Sequence, residues 1–211
     1  MPIAATMSEA GAPLEAVATA DEASMLPDAA EEMDLSGLPA SPWSAQPLST
    51  EHVPGALLNA WAAAENRGVC APITVAAMGE AEGAQARVSG MVEGGWAVEF
   101  DHRGMPGLRP SGDACASCGR GVFGIAGTTM SPDSLVGEGT YEGPDPSFAD
   151  GSHLEVEAPA DGESVAAAMI TLRGQGCVYQ VWSFLGESHV RELVDGLRRV
   201  EIRDEAPLAA R

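Results

Sequence analysis

Two closely spaced cysteines, Cys115-Ala116-Ser117-Cys118, followed by Gly119, are the sharpest chemical feature of this 211-residue chain. Two thiolates at that spacing can grip one metal ion, and the glycine lets backbone amides turn toward sulfur. A zinc ribbon needs a second such pair, whereas the other two cysteines, Cys70 and Cys177, stand alone. Four readings stay open. Cys115 and Cys118, joined by Cys70 and Cys177 if the fold gathers all four, hold zinc or an iron–sulfur cluster. Alternatively, Cys115 and Cys118 are a thiol-redox pair. That role wants a helix N-terminus after a strand, to lower the thiol pKa, yet this pair sits in a Gly/Pro-containing loop (104–119) ahead of a strand-like run. The third reading is structural: Cys115–Cys118 closes a small loop, and Cys70–Cys177 staples the first strand to the last hairpin. In the fourth, the cysteines are simple buried or loop thiols. Apart from zinc, no cofactor is expected.

Other chemistry is weaker. The histidines His52, His102, His153 and His189 form no HxH, HxxxH or HExxH pattern. Asp101-His102-Arg103 could make a polar cluster at a loop mouth, but nothing nearby supplies a nucleophile pattern. Glu99/Asp101 and Glu155/Glu157 read as polar faces of half-buried strands rather than acid/base pairs. Gly119-Arg120-Gly121-Val122-Phe123-Gly124 matches G-x-G-x-x-G but opens a strand instead of following one, so it is no dinucleotide fingerprint. The chain has no Lys at all. That excludes Schiff bases and every phosphate-binding loop built on a lysine.

Charge narrows the partners. Thirty-one acidic residues against 11 arginines leave a net charge of −20. Repulsion at that charge opposes the counterion release that drives nucleic-acid binding, so a nucleic-acid partner is not expected. No apolar run reaches the ~18 residues of a membrane span. Absent Lys, scarce Asn and abundant Ala, Gly and Arg suggest a GC-rich, bacterial coding sequence, and such bias itself drives charge negative. With Met1 as the start, residues 1–30 lack a basic and apolar leader pattern, and the expected compartment is the cytoplasm. Disulfide-bonded cysteines would instead favour an exported protein.

The elements that must position these groups can be read from periodicity. Residues 1–50 hold eight acids, no base and six prolines, and such composition buries too little to offset chain entropy. We expect a disordered acidic tail over 1–48, one globular domain over 49–202 and a frayed end over 203–211. Ser49 or Thr50 is placed to cap a helix whose apolar face is Val53, Leu57, Trp61 and Ala64, ending at Gly68. The period then becomes two. Strands are expected over 71–77, 86–92 and 96–101, over 121–129 covered on both faces, and over 139–142 and 153–158. A hairpin over 164–185 turns at Gly174-Gln175-Gly176. Val190, Leu193, Val194, Leu197 and Val200 give a final helical stripe. The fold class is therefore α+β: a mainly antiparallel sheet of about six to eight strands with one N-terminal and one C-terminal amphipathic helix. Trp61, Trp96, Trp182, Phe100, Phe123 and Phe184 are expected in its core. The pattern favours a non-catalytic binding or structural domain, with a protein or small ligand as partner, over an enzyme. The alternative is the metal or thiol protein built on Cys115 and Cys118.

Overall fold

The computed structural model describes residues 34–90, 92–102, 121–135, 145–158 and 165–202. The described chain is α+β, with two sheets and two helices. In order these are β1 (Leu48–Ser49), α1 (Gly55–Ala63), β2 (Ile73–Val75), β3 (Gln85–Val88), β4 (Trp96–Asp101) and β5 (Gly121–Gly127). Then come β6 (His153–Glu157), β7 (Ala166–Thr171), β8 (Val178–Ser183), α2 (Glu187–Asp195) and β9 (Leu197–Glu201). The larger sheet is antiparallel throughout, in the order β3-β4-β5-β8-β7-β6. In the smaller sheet, β9 lies between β1, to which it is parallel, and β2, to which it is antiparallel.

Alternation sorts the large sheet into two faces. Trp96, Val98 and Phe100 of β4 pair with Gly127, Ile125 and Phe123 of β5, and the side chains of all but Gly127 enter the main core. Phe100 and Phe123 stack directly across the strands, with ring centroids 4.2 Å apart. Burying each such ring stabilises the fold by roughly 1.5–3 kcal/mol. Helix α1 packs against β3 and β4, and α2 against β6, β7 and β8. The opposite face carries Ala97, Ala126 and Trp182, a second and smaller apolar cluster. Trp182 lies so close over Gly124 that a Cβ there would overlap its indole ring. This explains why β5, as expected, is buried along both faces. Phe184, expected in the core, is 41% exposed.

Three expectations need correction. Packing reaches ahead of residue 49, into the stretch expected as tail: Trp43 is only 1% exposed, and β1 pairs with β9 from Leu48. The first helix is shorter than expected. Neither Ser49 nor Thr50 caps it; Ser49 Oγ bonds His52 Nδ1 at 2.9 Å, residues Thr50–His52 make a separate 3-10 turn, and Pro54 stands at the N-cap. The last helix stops at Asp195. Gly196 closes it, its amide bonding the Glu192 carbonyl, and Leu197–Glu201 leaves as a strand between β1 and β2. Leu197 and Val200 are buried as the stripe required, but from a strand. Residues 1–33 of the tail expected over 1–48, the strand over 139–142 and the end over 203–211 lie outside the described residues.

Candidate functional site

Of the four cysteines, Cys115 and Cys118 lie outside the described residues. Cys70 and Cys177 are joined in a disulfide, and both are fully buried. The bond ties the chain ahead of β2 to the start of β8. It closes 107 residues of sequence, a separation worth about 4–5 kcal/mol on the chain-entropy account. Its surroundings are aromatic and hydrogen-bonded. Trp61 Nε1 donates to the Cys70 carbonyl at 3.0 Å, and the Tyr179 hydroxyl donates to the Ala71 carbonyl at 2.8 Å. Burial pushes the Tyr179 phenol well above its ordinary range, and the Arg199 charge partly opposes this.

Glu99 and Asp101 are not the polar half of a half-buried strand. They are 6% and 4% exposed. What makes this tolerable is Arg87, across the strand pair on β3, in register with Glu99. Its Nε bonds the Asp101 carboxylate at 3.0 Å, and its guanidinium also pairs with Glu99. Ser89 Oγ donates to the other Glu99 oxygen at 2.6 Å. Buried charges persist only when paired and hydrogen-bonded in this way. Asp101 is thus committed to Arg87, and His102 is half-buried just past the end of β4. Arg103 and the loop beyond lie outside the described residues. Glu155 and Glu157 are exposed on β6 and do form the polar face expected of them.

A second polar pair was not foreseen from spacing. Ser183, ending β8, and His189, in the first turns of α2, meet with Oγ and Nδ1 2.8 Å apart. His189 Nε2 faces the Met78 carbonyl at 2.9 Å, so it carries the donated proton. In a neutral ring Nδ1 is then the acceptor and Ser183 the donor. A serine on an imidazole nitrogen is a feature of nucleophile activation. Here the hydroxyl is completely buried and the ring 2% exposed. The pair also takes in the Leu185 amide at Ser183 Oγ. It works as a latch joining β8, α2 and the loop before β3. The only signal in the sequence was a serine at a strand end, six residues before a histidine in the helix.

The third cluster fastens the N-terminal segment. Asp150 accepts from Ser41 Oγ at 2.6 Å, Trp43 Nε1 at 3.0 Å and the Ser152 amide at 3.0 Å. Burial is the largest single influence on its carboxyl and pushes it up. The donors from Ser41, Ser152 and Trp43 together outweigh burial and hold it below the usual carboxylate range. Phe148 packs edge-on against Trp43 at 4.9 Å, and Arg198 reaches the Pro42 carbonyl. Composition hid all of this, because one tryptophan in an Ala/Pro/Glu-rich stretch gives no periodic signal.

Among the described residues, no three His, Cys, Asp or Glu side chains gather to hold a metal ion. Among the same residues, no helix is long and apolar enough to cross a membrane. Comparison with known protein families, curated proteins and solved structures found no match for this chain.

Proposed function

We propose that this chain is a non-catalytic binding domain, stapled by sulfur and working in an oxidising compartment outside the cytoplasm. The observation that carries the reading is the buried Cys70–Cys177 bond between the β2 approach and β8. Disulfides persist in exported proteins and are reduced in most cytosols. The chemistry of the clusters supports the same reading. Arg87, Glu99 and Asp101 satisfy one another, and Ser183 with His189 bridges three segments. These groups are spent on holding the shape, and a surface partner or small ligand is what remains for such a scaffold to engage.

The test is a thiol titration of the full chain, unfolded without reductant, together with elemental analysis of the native protein. We expect two free thiols or fewer per chain and no stoichiometric zinc or iron. Four titratable thiols would overturn the oxidising-compartment reading. About one zinc or iron per chain would return the assignment to a metal protein built on Cys115 and Cys118.

A further inference from the structure

We propose that the open edge of β3 is a self-association surface, on which a second copy of this chain lays its own β3 antiparallel to the first. This goes beyond the binding-domain reading and does not depend on the state of the cysteines. The large sheet ends at β3 on one side and at β6 on the other. An edge strand presents unpaired amides and carbonyls, and folded proteins cap, shorten or charge such edges. The two edges of this sheet differ in that respect.

β6 is guarded. The Ser152 carbonyl, just ahead of it, accepts the Ser147 and Phe148 amides at 2.9 and 3.2 Å. The Leu154 amide donates to Ser147 Oγ at 3.0 Å, and the Leu154 carbonyl accepts from the same hydroxyl at 3.3 Å. Val156, further along, stands between the exposed carboxylates of Glu155 and Glu157.

β3 has no such guard. The Ser89 amide donates to the Ala97 carbonyl at 2.9 Å, which makes these two residues a hydrogen-bonded pair. Bonded and non-bonded pairs alternate along an antiparallel ladder. In the β3–β4 register, Arg87–Glu99 and Gln85–Asp101 are then bonded pairs. Ala86 and Val88, opposite Phe100 and Val98, turn their amides and carbonyls outward. Among the described residues, nothing meets those four groups. Val88 shares a side of the sheet with Val98, which is fully buried, yet is itself 53% exposed. Among the described residues, it is the one exposed large apolar side chain that lies within a strand. A strand laid beside β3 satisfies the outward groups and covers Val88 at once.

A second β3 fits this edge. Pairing the strand with its own copy is two-fold and closed, because each copy gives and receives the same bonds. Setting Ala86 of one copy opposite Val88 of the other uses all four outward groups of each. It also sets the two Arg87 side chains opposite one another. Glu99 and Asp101 already hold each guanidinium, which makes that approach tolerable. Two chains of net charge −20 repel. The run from Ala84 to Gly90 contains no acid, however, and physiological salt screens more distant charges beyond about 8 Å.

Sedimentation equilibrium of the full chain at physiological ionic strength tests this, with hydrogen exchange at low and high protein concentration. We expect the average mass to climb toward twice that of one chain as concentration rises. The Ala86 and Val88 amides should gain protection in step, while the Arg87 amide, in the β4 ladder, is protected throughout. Val88→Lys places a charge on the edge, and Ala86→Pro removes an outward amide but no ladder bond. Each should weaken association about tenfold or more, with the circular dichroism of the parent retained. Val156→Lys, on the other edge, should associate as the parent does. A chain that stays monomeric overturns the proposal and leaves the edge to a different extended partner. Association that survives Val88→Lys, or that Val156→Lys abolishes, overturns it in favour of another surface. Protection of Ala86 and Val88 at every concentration overturns it too, since the edge is then covered within one chain.

Discussion

The Cys70–Cys177 bond and the Trp43–Asp150 clasp both join stretches more than a hundred residues apart, yet by different physics. The disulfide ties the β2 approach to β8 whether or not the chain is folded. It acts mainly by restricting the unfolded ensemble, so its effect grows with the loop it closes. The clasp exists only in the folded state. It combines a buried indole with hydrogen bonds to one carboxylate, and it depends on that carboxylate being charged. One fastening therefore answers to redox conditions and the other to acid.

The sharpest way to test the contrast is to remove the covalent member. Replacing both Cys70 and Cys177 with Ala should destabilise the fold by about 4–5 kcal/mol, the chain-entropy value for a loop of this size. Chemical denaturation of the variant and the oxidised parent measures the difference. A change under about 1 kcal/mol would mean that the denatured chain is already compact around this crossing, and the entropic contrast with the clasp would fail.

Truncating the clasp should cost somewhat less. Trp43→Ala leaves a cavity beside Phe148 and strips Asp150 of one donor, and buried Trp-to-Ala changes typically cost about 3–5 kcal/mol. Here the lower end is expected, about 3 kcal/mol, because Asp150 is only partly buried and water can replace the lost donor. The same denaturation measurement applies. If the variant unfolds like the parent, residues 34–49 are an appendage and the packed domain begins nearer residue 49.

How much of this was legible in the chain follows the same division. Alternation of Trp96, Val98 and Phe100 announced β4, and Gly174-Gln175-Gly176 announced the β7–β8 hairpin. Those signals are local, since each strand's inward residues are set by its own pleat. The Cys70–Cys177 pairing was one of several options, since spacing does not choose among connectivities. The clasp was illegible because its two halves are each unremarkable: a Trp among prolines, and an Asp in a loop. Glu99 and Asp101 read as solvent-facing because alternation reports only their own strand. Arg87, which makes their burial tolerable, lies on its neighbour. The stripe from Val190 to Val200 continued at helical spacing through Gly196, where the chain in fact leaves the helix. β9 is held there by two flanking strands, and that is tertiary context overriding a local pattern.

Acid offers the smallest effect and the most selective one. The Asp150 carboxyl sits below its unfolded value near 4, so the folded state favours its charged form. Its contribution is then fully present above the unfolded pKa and is lost as pH falls through the folded one. Asp150→Asn keeps one acceptor but removes the charge. It should cost about 1–2 kcal/mol at pH 7, by the usual worth of charge-assisted bonds. The gap between parent and variant should narrow as pH drops below about 4. The Cys70→Ala/Cys177→Ala pair, measured over the same range, should show no comparable narrowing, since a disulfide does not titrate. Parallel pH profiles for parent and Asp150→Asn would mean that Trp43 packing alone makes the clasp, and the two fastenings would then differ only in covalency.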